Sequence, residues 1–275
     1  MQTGFYASAA GMVTQFNRLD TIANNLANVN TTGFKKESLI TGDFARLYKE
    51  ARDRLPIKNQ TFEGASYINR AMSKVPHIVE SYTDHSLGSL EKTGNRFDIA
   101  LSDEGLFFAV ETPQGLRLTR DGSFSLNDAG VLVTKEGYKV LPQNYQNDPD
   151  ATIRFNAEDT TIEVDKNGQF YNLVPGSTQR IEGSKLFVTR VETIKYLQQE
   201  GSGLYIPDSA DLLKPIDESG SVLQGYLEKS NVNPVTEMVA MIEANRLVGM
   251  YQKVMDSQMN DMNRDAIEKL AVTRR

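Results

Sequence analysis

The 275-residue sequence predicts an α+β protein in which long N- and C-terminal α-helices pack as a coiled-coil-like stalk with a central all-β domain. Three observations predict it. Apolar residues near the start recur at alternating spacings of four and three. Those near the end recur at a mean spacing of 3.5 residues. Between them lie short β-prone runs separated by turn residues.

The first seam runs Phe5, Ala9, Met12, Phe16, Leu19, Ala23 and Leu26, widened by Ile22 and Val29. Gln15, Asn17, Arg18, Asp20, Thr21 and Asn24 occupy the other face, so this helix is amphipathic and needs a partner. Asn28, Asn30, Thr31, Thr32 and Gly33 are poor helix formers, which predicts an end near Val29. Segment 37–55 reads as a second helix, with Phe44, Leu47, Tyr48 and Ala51 on one side. Strands are predicted at 97–101, 105–111, 116–119, 123–126, 131–134, 138–141, 160–164, 169–173 and 185–191. Asp121-Gly122, Asn127 to Gly130 and Asn167-Gly168 punctuate them with residues that tolerate positive φ, as tight hairpins require. Asn233 before Pro234 is an N-cap followed by proline at the first helical position. The second seam follows: Val235, Met238, Met241, Ala244, Val248, Tyr251, Met255, Met259, Met262, Ala266 and Leu270. The expected domains are a terminal helical domain at 1–36 and 226–275, connecting segments at 37–92 and 198–225, and a β domain at 93–197.

Composition narrows the function classes. A formal charge of −6 and a pI near 5.2 argue against nucleic-acid binding, which calls for a basic face. The acidity is concentrated in the middle, where residues 51–225 carry 18 basic and 25 acidic side chains and the two ends are close to neutral. Cysteine is absent, so no disulfide or thiolate chemistry is available. No apolar run approaches the roughly 18–20 residues of a membrane span, and no basic segment followed by an apolar one marks a cleaved signal peptide.

Signals for catalysis and cofactors are weak. His77 and His85 have no companion at metal-ligand spacing. Asp165, Asn167 and Gly168 open like a calcium loop, but Gly176 stands where its bidentate glutamate belongs, so a hairpin turn explains them better. No serine sits in a nucleophile elbow and no glycine-rich phosphate loop occurs. Neither a cofactor nor a catalytic residue is expected. A carboxylate pair such as Asp98 and Glu104 leaves a cell-wall hydrolase open as an alternative, and a surface or periplasmic β binding module is another. On pattern alone the helices could also be ordinary core-facing ones.

Four collinear stretches carry a family resemblance. They are Asn24-Asn25-Leu26-Ala27-Asn28-Val29-Asn30-Thr31-Thr32-Gly33-Phe34-Lys35; Phe97-Asp98-Ile99-Ala100-Leu101 with Gly105-Leu106-Phe107-Phe108; Thr119-Arg120-Asp121-Gly122-Ser123-Phe124; and Gln224-Gly225-Tyr226-Leu227-Glu228-Lys229-Ser230-Asn231-Val232-Asn233. Together they resemble the flagellar basal-body rod and hook proteins over almost the whole chain. The resemblance implies a structural subunit whose two terminal helices line a hollow helical tube, the rod within the periplasm. It implies export by the flagellar type III apparatus without a cleaved signal. The implied partners are copies of the chain itself and other rod subunits, proximal and distal. Asn24, Asn25, Leu26, Ala27, Asn28, Thr32, Gly33, Phe34, Lys35, Ser230, Asn231 and Val232 carry the motif. Phe5, Ala9, Met12, Phe16, Leu19, Leu26, Val235, Met238, Met241, Val248, Tyr251, Met255, Met259 and Met262 are the expected subunit-packing residues. The stretch from Met238 to Leu270 is most similar to proximal-rod members. The N-terminal half is also close to distal-rod members, although residues 39–66 do not resemble the insertion found in those.

Overall fold

The computed structural model describes residues 2–43, 76–148, 150–155, 161–173, 180–191, 194, 197–201, 203–207, 213, 215 and 221–272. The chain folds into two compact units. One comprises residues 1–27, 37–82 and 233–275, the other residues 28–36 and 83–232.

The first unit holds both long helices, α1 (Gln2–Ala27) and α2 (Pro234–Val272), with a two-stranded sheet of β1 (Glu37–Asp43) and β2 (Pro76–Thr83). α1 stops two residues short of the expected Val29. The Asn28 carbonyl and side chain instead take hydrogen bonds from the Thr31 N–H and hydroxyl, both at 3.1 Å, so a turn replaces the next helical turn. α2 starts where its sequence signals predict. Asn233 Oδ1 accepts the Val235 N–H at 3.0 Å, capping an orphan donor of the first turn, and Pro234 occupies the first helical position.

The helix expected over 37–55 is corrected by the structure at its start, because Glu37–Asp43 is a strand. Ile40 and Thr41 are β-branched, and Asn25 treats Glu37 as a sheet neighbour would. Its Oδ1 accepts the Glu37 N–H at 3.0 Å and its Nδ2 donates to the Glu37 carbonyl at 2.8 Å. Residues 44–55 lie outside the described residues.

The second unit is antiparallel throughout its described ladders. Its strands are β3 (Leu90–Lys92), β4 (Ile99–Leu101), β5 (Leu106–Thr112), β6 (Gly115–Thr119), β7 (Ser125–Leu126), β8 (Leu132–Val133), β9 (Lys139–Val140), β10 (Thr161–Val164), β11 (Gln169–Leu173), β12 (Arg180–Lys185), β13 (Val188–Arg190), β14 (Gln198–Gln199), β15 (Leu204–Ile206), β16 (Val222–Gln224) and β17 (Tyr226–Glu228). The main sheet has the order β14-β15-β6-β5-β9-β8-β7, with β13 also on β5. β10-β11-β12 form a second sheet, and the pairs β16-β4 and β17-β3 draw the 222–228 segment back onto the start of the domain. Strands β14 to β16 therefore lie in the 198–225 stretch that was expected to be connection.

The run LFFAVET of β5 is apolar on both faces, and the fold uses both. Leu106, Phe108 and Val110 enter one core cluster with Ile99, Phe124 and Phe170, while Phe107 and Ala109 enter another with Leu118, Phe187 and Tyr205. Successive side chains of a strand point to opposite faces, so the stretch Leu106–Val110, covered on both sides, is apolar throughout, and polar residues enter only at Glu111 and Thr112. Gly168 takes a positive φ of 78° between β10 and β11, as a tight hairpin requires. Gly122, expected to do likewise, does not. A side chain there would overlap the Ile99 carbonyl, so close backbone approach is what demands glycine.

Candidate assembly surface and the signature cluster

The helical unit is an antiparallel pair. A Cβ added to Gly11 would lie 2.6 Å from the Tyr251 ring, Gly4 faces Gln258, and Asn25 Nδ2 donates to Glu237 Oε2 at 3.4 Å. The pairing face of α1 is therefore Gly4, Ser8, Gly11, Gln15, Ile22 and Asn25, a row of small and polar residues apart from Ile22. On α2 the matching row is Glu237, Met241, Ala244, Val248, Tyr251, Met255 and Gln258, again at alternating spacings of four and three.

Except for Leu19, each residue of the predicted α1 seam from Phe5 to Leu26 follows a pairing-face position by one, which turns the seam by about 100° around the helix axis. α2 therefore leaves much of that seam uncovered. Phe5, Ala9, Met12, Leu19 and Leu26 are half-buried, Phe16 is 45% exposed, and Tyr6 and Val13 stand out beside it. On α2 the predicted seam coincides with the pairing face through Met241, Val248, Tyr251 and Met255. It departs from that face at Val235, Met238 and Met259, which are exposed. The side chain of Met262 lies outside the described residues. A further outward stripe, Val239, Ile242 (63% exposed), Met250 and Val254, had no counterpart in the sequence reading. Most of the exposed large apolar side chains of the described chain lie on these two helices.

The second unit gathers three of the four signature stretches around one buried carboxylate. Glu228 on β17 is 1% exposed. Its Oε1 takes Lys35 Nζ at 2.5 Å and the Gly88 N–H at 2.9 Å, and its Oε2 takes Arg120 Nε at 2.9 Å. Lys35 (1% exposed) also donates to the Ser86 carbonyl at 2.7 Å, and Arg120 (3% exposed) to the Leu106 and Asp103 carbonyls at 2.6 and 2.9 Å. Burial lowers the affinity of both cations for their protons and the Glu228 charge opposes it. A buried charge is tolerated only with such partners.

Around this centre the motif residues have distinct tasks. Gly33, at φ 68°, donates its N–H to the Glu228 carbonyl at 2.8 Å, and a Cβ there would lie 2.5 Å from the Arg120 carbonyl carbon. Phe34 is buried beside it in sequence. Asn231 joins two segments, accepting the Lys36 N–H at 2.7 Å and donating to the Asp84 carbonyl at 2.8 Å. Ser230 is buried and accepts the N–H of buried Val232 at 3.2 Å. Asn25 and Asn28 act as described above. Leu26 and Thr32 are half-buried, and Asn24 and Ala27 are exposed.

Arg120 and Glu228 lie within the signature stretches, but nothing in the sequence marks either by itself as a site residue. Three oppositely charged residues in three separate motifs were the available signal. Charged side chains are so commonly solvated that the pattern does not stand out. Among the described residues no group of three or more His, Asp and Glu is placed to hold a metal ion, and no helix is long and apolar enough to cross a membrane.

Three family profiles match. They are "Flagella basal body rod protein" over residues 5–35, "Flagellar hook protein FlgE/F/G D1 domain" over 102–172 and "Flagellar basal body rod FlgEFG protein C-terminal" over 223–268. The flagellar basal-body rod protein FlgG of Buchnera aphidicola subsp. Baizongia pistaciae (strain Bp) is 32% identical over 92% of this chain and 95% of its own. The chain belongs to the flagellar basal-body rod family. FlgF of Caulobacter vibrioides is 30% identical over 98% of both chains, and FlgG of Agrobacterium fabrum 33% identical over 90% of this chain and 92% of its own. The rod family is structural and not catalytic, so the helix faces and the charged cluster are parts of an assembling subunit of the basal-body rod.

Proposed function

We propose that this rod subunit is of the proximal, FlgF type and polymerises through the apolar stripes of its two helices into the hollow shaft that transmits motor torque. The observation that supports the polymerising role is the phase of the α1 seam. Phe5 to Leu26 keep coiled-coil spacing, while the intrachain pair is built from Gly4, Ser8, Gly11 and Gln15 one residue earlier. Enclosing each such apolar side chain contributes about 1.5–3 kcal/mol, so neighbouring subunits that cover the stripe gain several such increments. A surface that meets a neighbour through one patch and is met through another gives an open helical filament when the rotation between neighbours does not close. The partners in this reading are copies of the chain and other rod subunits, and the route out of the cytoplasm is the flagellar type III apparatus.

The proximal assignment is favoured by the closing stretch from Met238 to Leu270 and by the end-to-end alignment with the Caulobacter relative. The FlgG relatives at similar identity support a distal-rod subunit as the second reading. Phe16→Asp is expected to leave the chain folded and exported but unable to form a rod, whereas Asn17→Asp, on the exposed face next to it, assembles normally. Equal assembly of the two variants would remove the support for the helix stripe as an intersubunit surface. Immunogold labelling of isolated basal bodies distinguishes the types: label at the membrane-proximal end supports the FlgF reading, and label along the distal shaft supports the FlgG one.

A further inference from the structure

His85 lies against the signature cluster without belonging to it. Its ring packs on Phe107 at 6.1 Å and on Tyr205 at 5.6 Å between centroids, and Arg120 lies over the same Phe107 ring at 5.9 Å. The next residue, Ser86, supplies the carbonyl that holds Lys35. Nδ1 of His85 is buried and meets no hydrogen-bond partner among the described residues. A neutral imidazole needs a hydrogen on only one nitrogen, whereas an imidazolium needs both N–H groups satisfied. Protonation would therefore bury an unpaired N–H. It would also add a third cation to Lys35 and Arg120, whose shared counter-charge is Glu228.

We propose that His85 makes the docking of the signature segment onto the β unit acid-sensitive: the neutral ring keeps residues 33–36 and 84–88 seated, and its protonation releases them. The charged and titratable groups facing the ring are Lys35 from the signature, Arg120 after β6, Tyr205 on β15, and Asp84 on its own segment, with Glu228 on β17 behind the two cations. Lys35 and Arg120 disfavour the imidazolium and Asp84 favours it, but Asp84 Oδ1 is engaged by the Ser86 N–H at 3.0 Å. Burial, reinforced by the two cations, holds the imidazole down to about 4 from the ordinary 6.5. The unfolded or undocked segment therefore takes up a proton between those two values while the docked one does not. Docking is at full strength above pH 6.5 and weakens as pH falls towards 4.

Hydrogen exchange on the full chain tests this, read as protection factors at the amides of Gly33, Lys36 and Gly88. Each of these donates to a named acceptor in the docked arrangement. Between pH 6.5 and 4.5 their protection is expected to fall on the order of tenfold to a hundredfold, less than the roughly 300-fold set by the full shift because the ring is partly solvated. The amides of β5 and β6 should hold over the same range. His85→Phe keeps the ring packing and removes the titration, and is expected to flatten the response. An equal fall in His85→Phe would assign the effect to the carboxylates and overturn the proposal. Should that variant fail to fold, a proton NMR titration of His85, assigned against His77→Gln, decides in the wild-type chain. A midpoint below about 5 that tracks the loss of protection supports the latch, and a midpoint near 6.5 refutes it.

Discussion

Removing the Glu228 charge is expected to cost more than removing any exposed one, because two buried cations and an amide N–H depend on it for a partner. Glu228→Gln leaves Lys35 and Arg120 buried without a counter-charge and is expected to cost about 3–5 kcal/mol in urea denaturation. Glu91→Gln, which breaks the solvent-exposed pair with Lys229, should stay within about 0.5 kcal/mol. Equal costs for the two would show that the buried cluster carries no special weight. Gly33 illustrates how far a single residue was legible. A glycine shortly beyond a helix end is the residue that takes positive φ without strain, and here φ is 68°. Its nearness to the Arg120 backbone could not be predicted, because Arg120 is 87 positions away. Gly33→Val therefore meets both backbone strain and overlap, and should destabilise by about 2 kcal/mol or more.

At the scale of elements, helix existence was written in periodicity and caps, and helix phase was not. A heptad of apolar residues says that a face needs cover without saying whether the cover comes from the same chain. In α1 the glycine at 11 settles the matter, since a Cβ there would overlap the Tyr251 ring. The chain has no cysteine, so paired substitutions report this phase cleanly. Gly11→Cys with Tyr251→Cys is expected to cross-link within one chain under mild oxidation, and Met12→Cys with Tyr251→Cys, at the same level but turned about 100° around the helix, is not. Efficient intrachain linkage of the second pair would place the apolar seam inside the helix pair and contradict the antiparallel register. The segment at 37–43 teaches the complementary lesson. Its residues tolerate either helix or strand, and the side chain of Asn25 decides for strand by offering a donor and an acceptor to Glu37.

At the scale of the whole molecule, the N-terminal stretch belongs to both units. Residues 1–27 build the helical unit, and 28–36 complete the β unit through Gly33, Lys35 and Lys36. Removing residues 1–27 is therefore expected to leave the β unit with its cooperative thermal transition. Removing residues 1–36 should lower that transition by several degrees or abolish it, since Glu228 and Arg120 would lose Lys35 and its bonds. Differential scanning calorimetry compares the two truncations, and identical transitions would show that the signature stretch is dispensable for the β fold.

The amino-acid sequence by itself determined the fold class, the two helices and the N-cap of the second, most of the strands and the rod family. These depend on local spacing and on ordered motifs, which survive without knowledge of distant neighbours. Only the tertiary structure decided which helix face pairs within the chain, that 37–43 is a strand, and that Lys35, Arg120 and Glu228 meet. Each of those outcomes depends on contacts between residues tens to hundreds of positions apart. A buried charge or an uncovered stripe is defined by what the rest of the molecule places against it, and spacing along the chain carries no record of that.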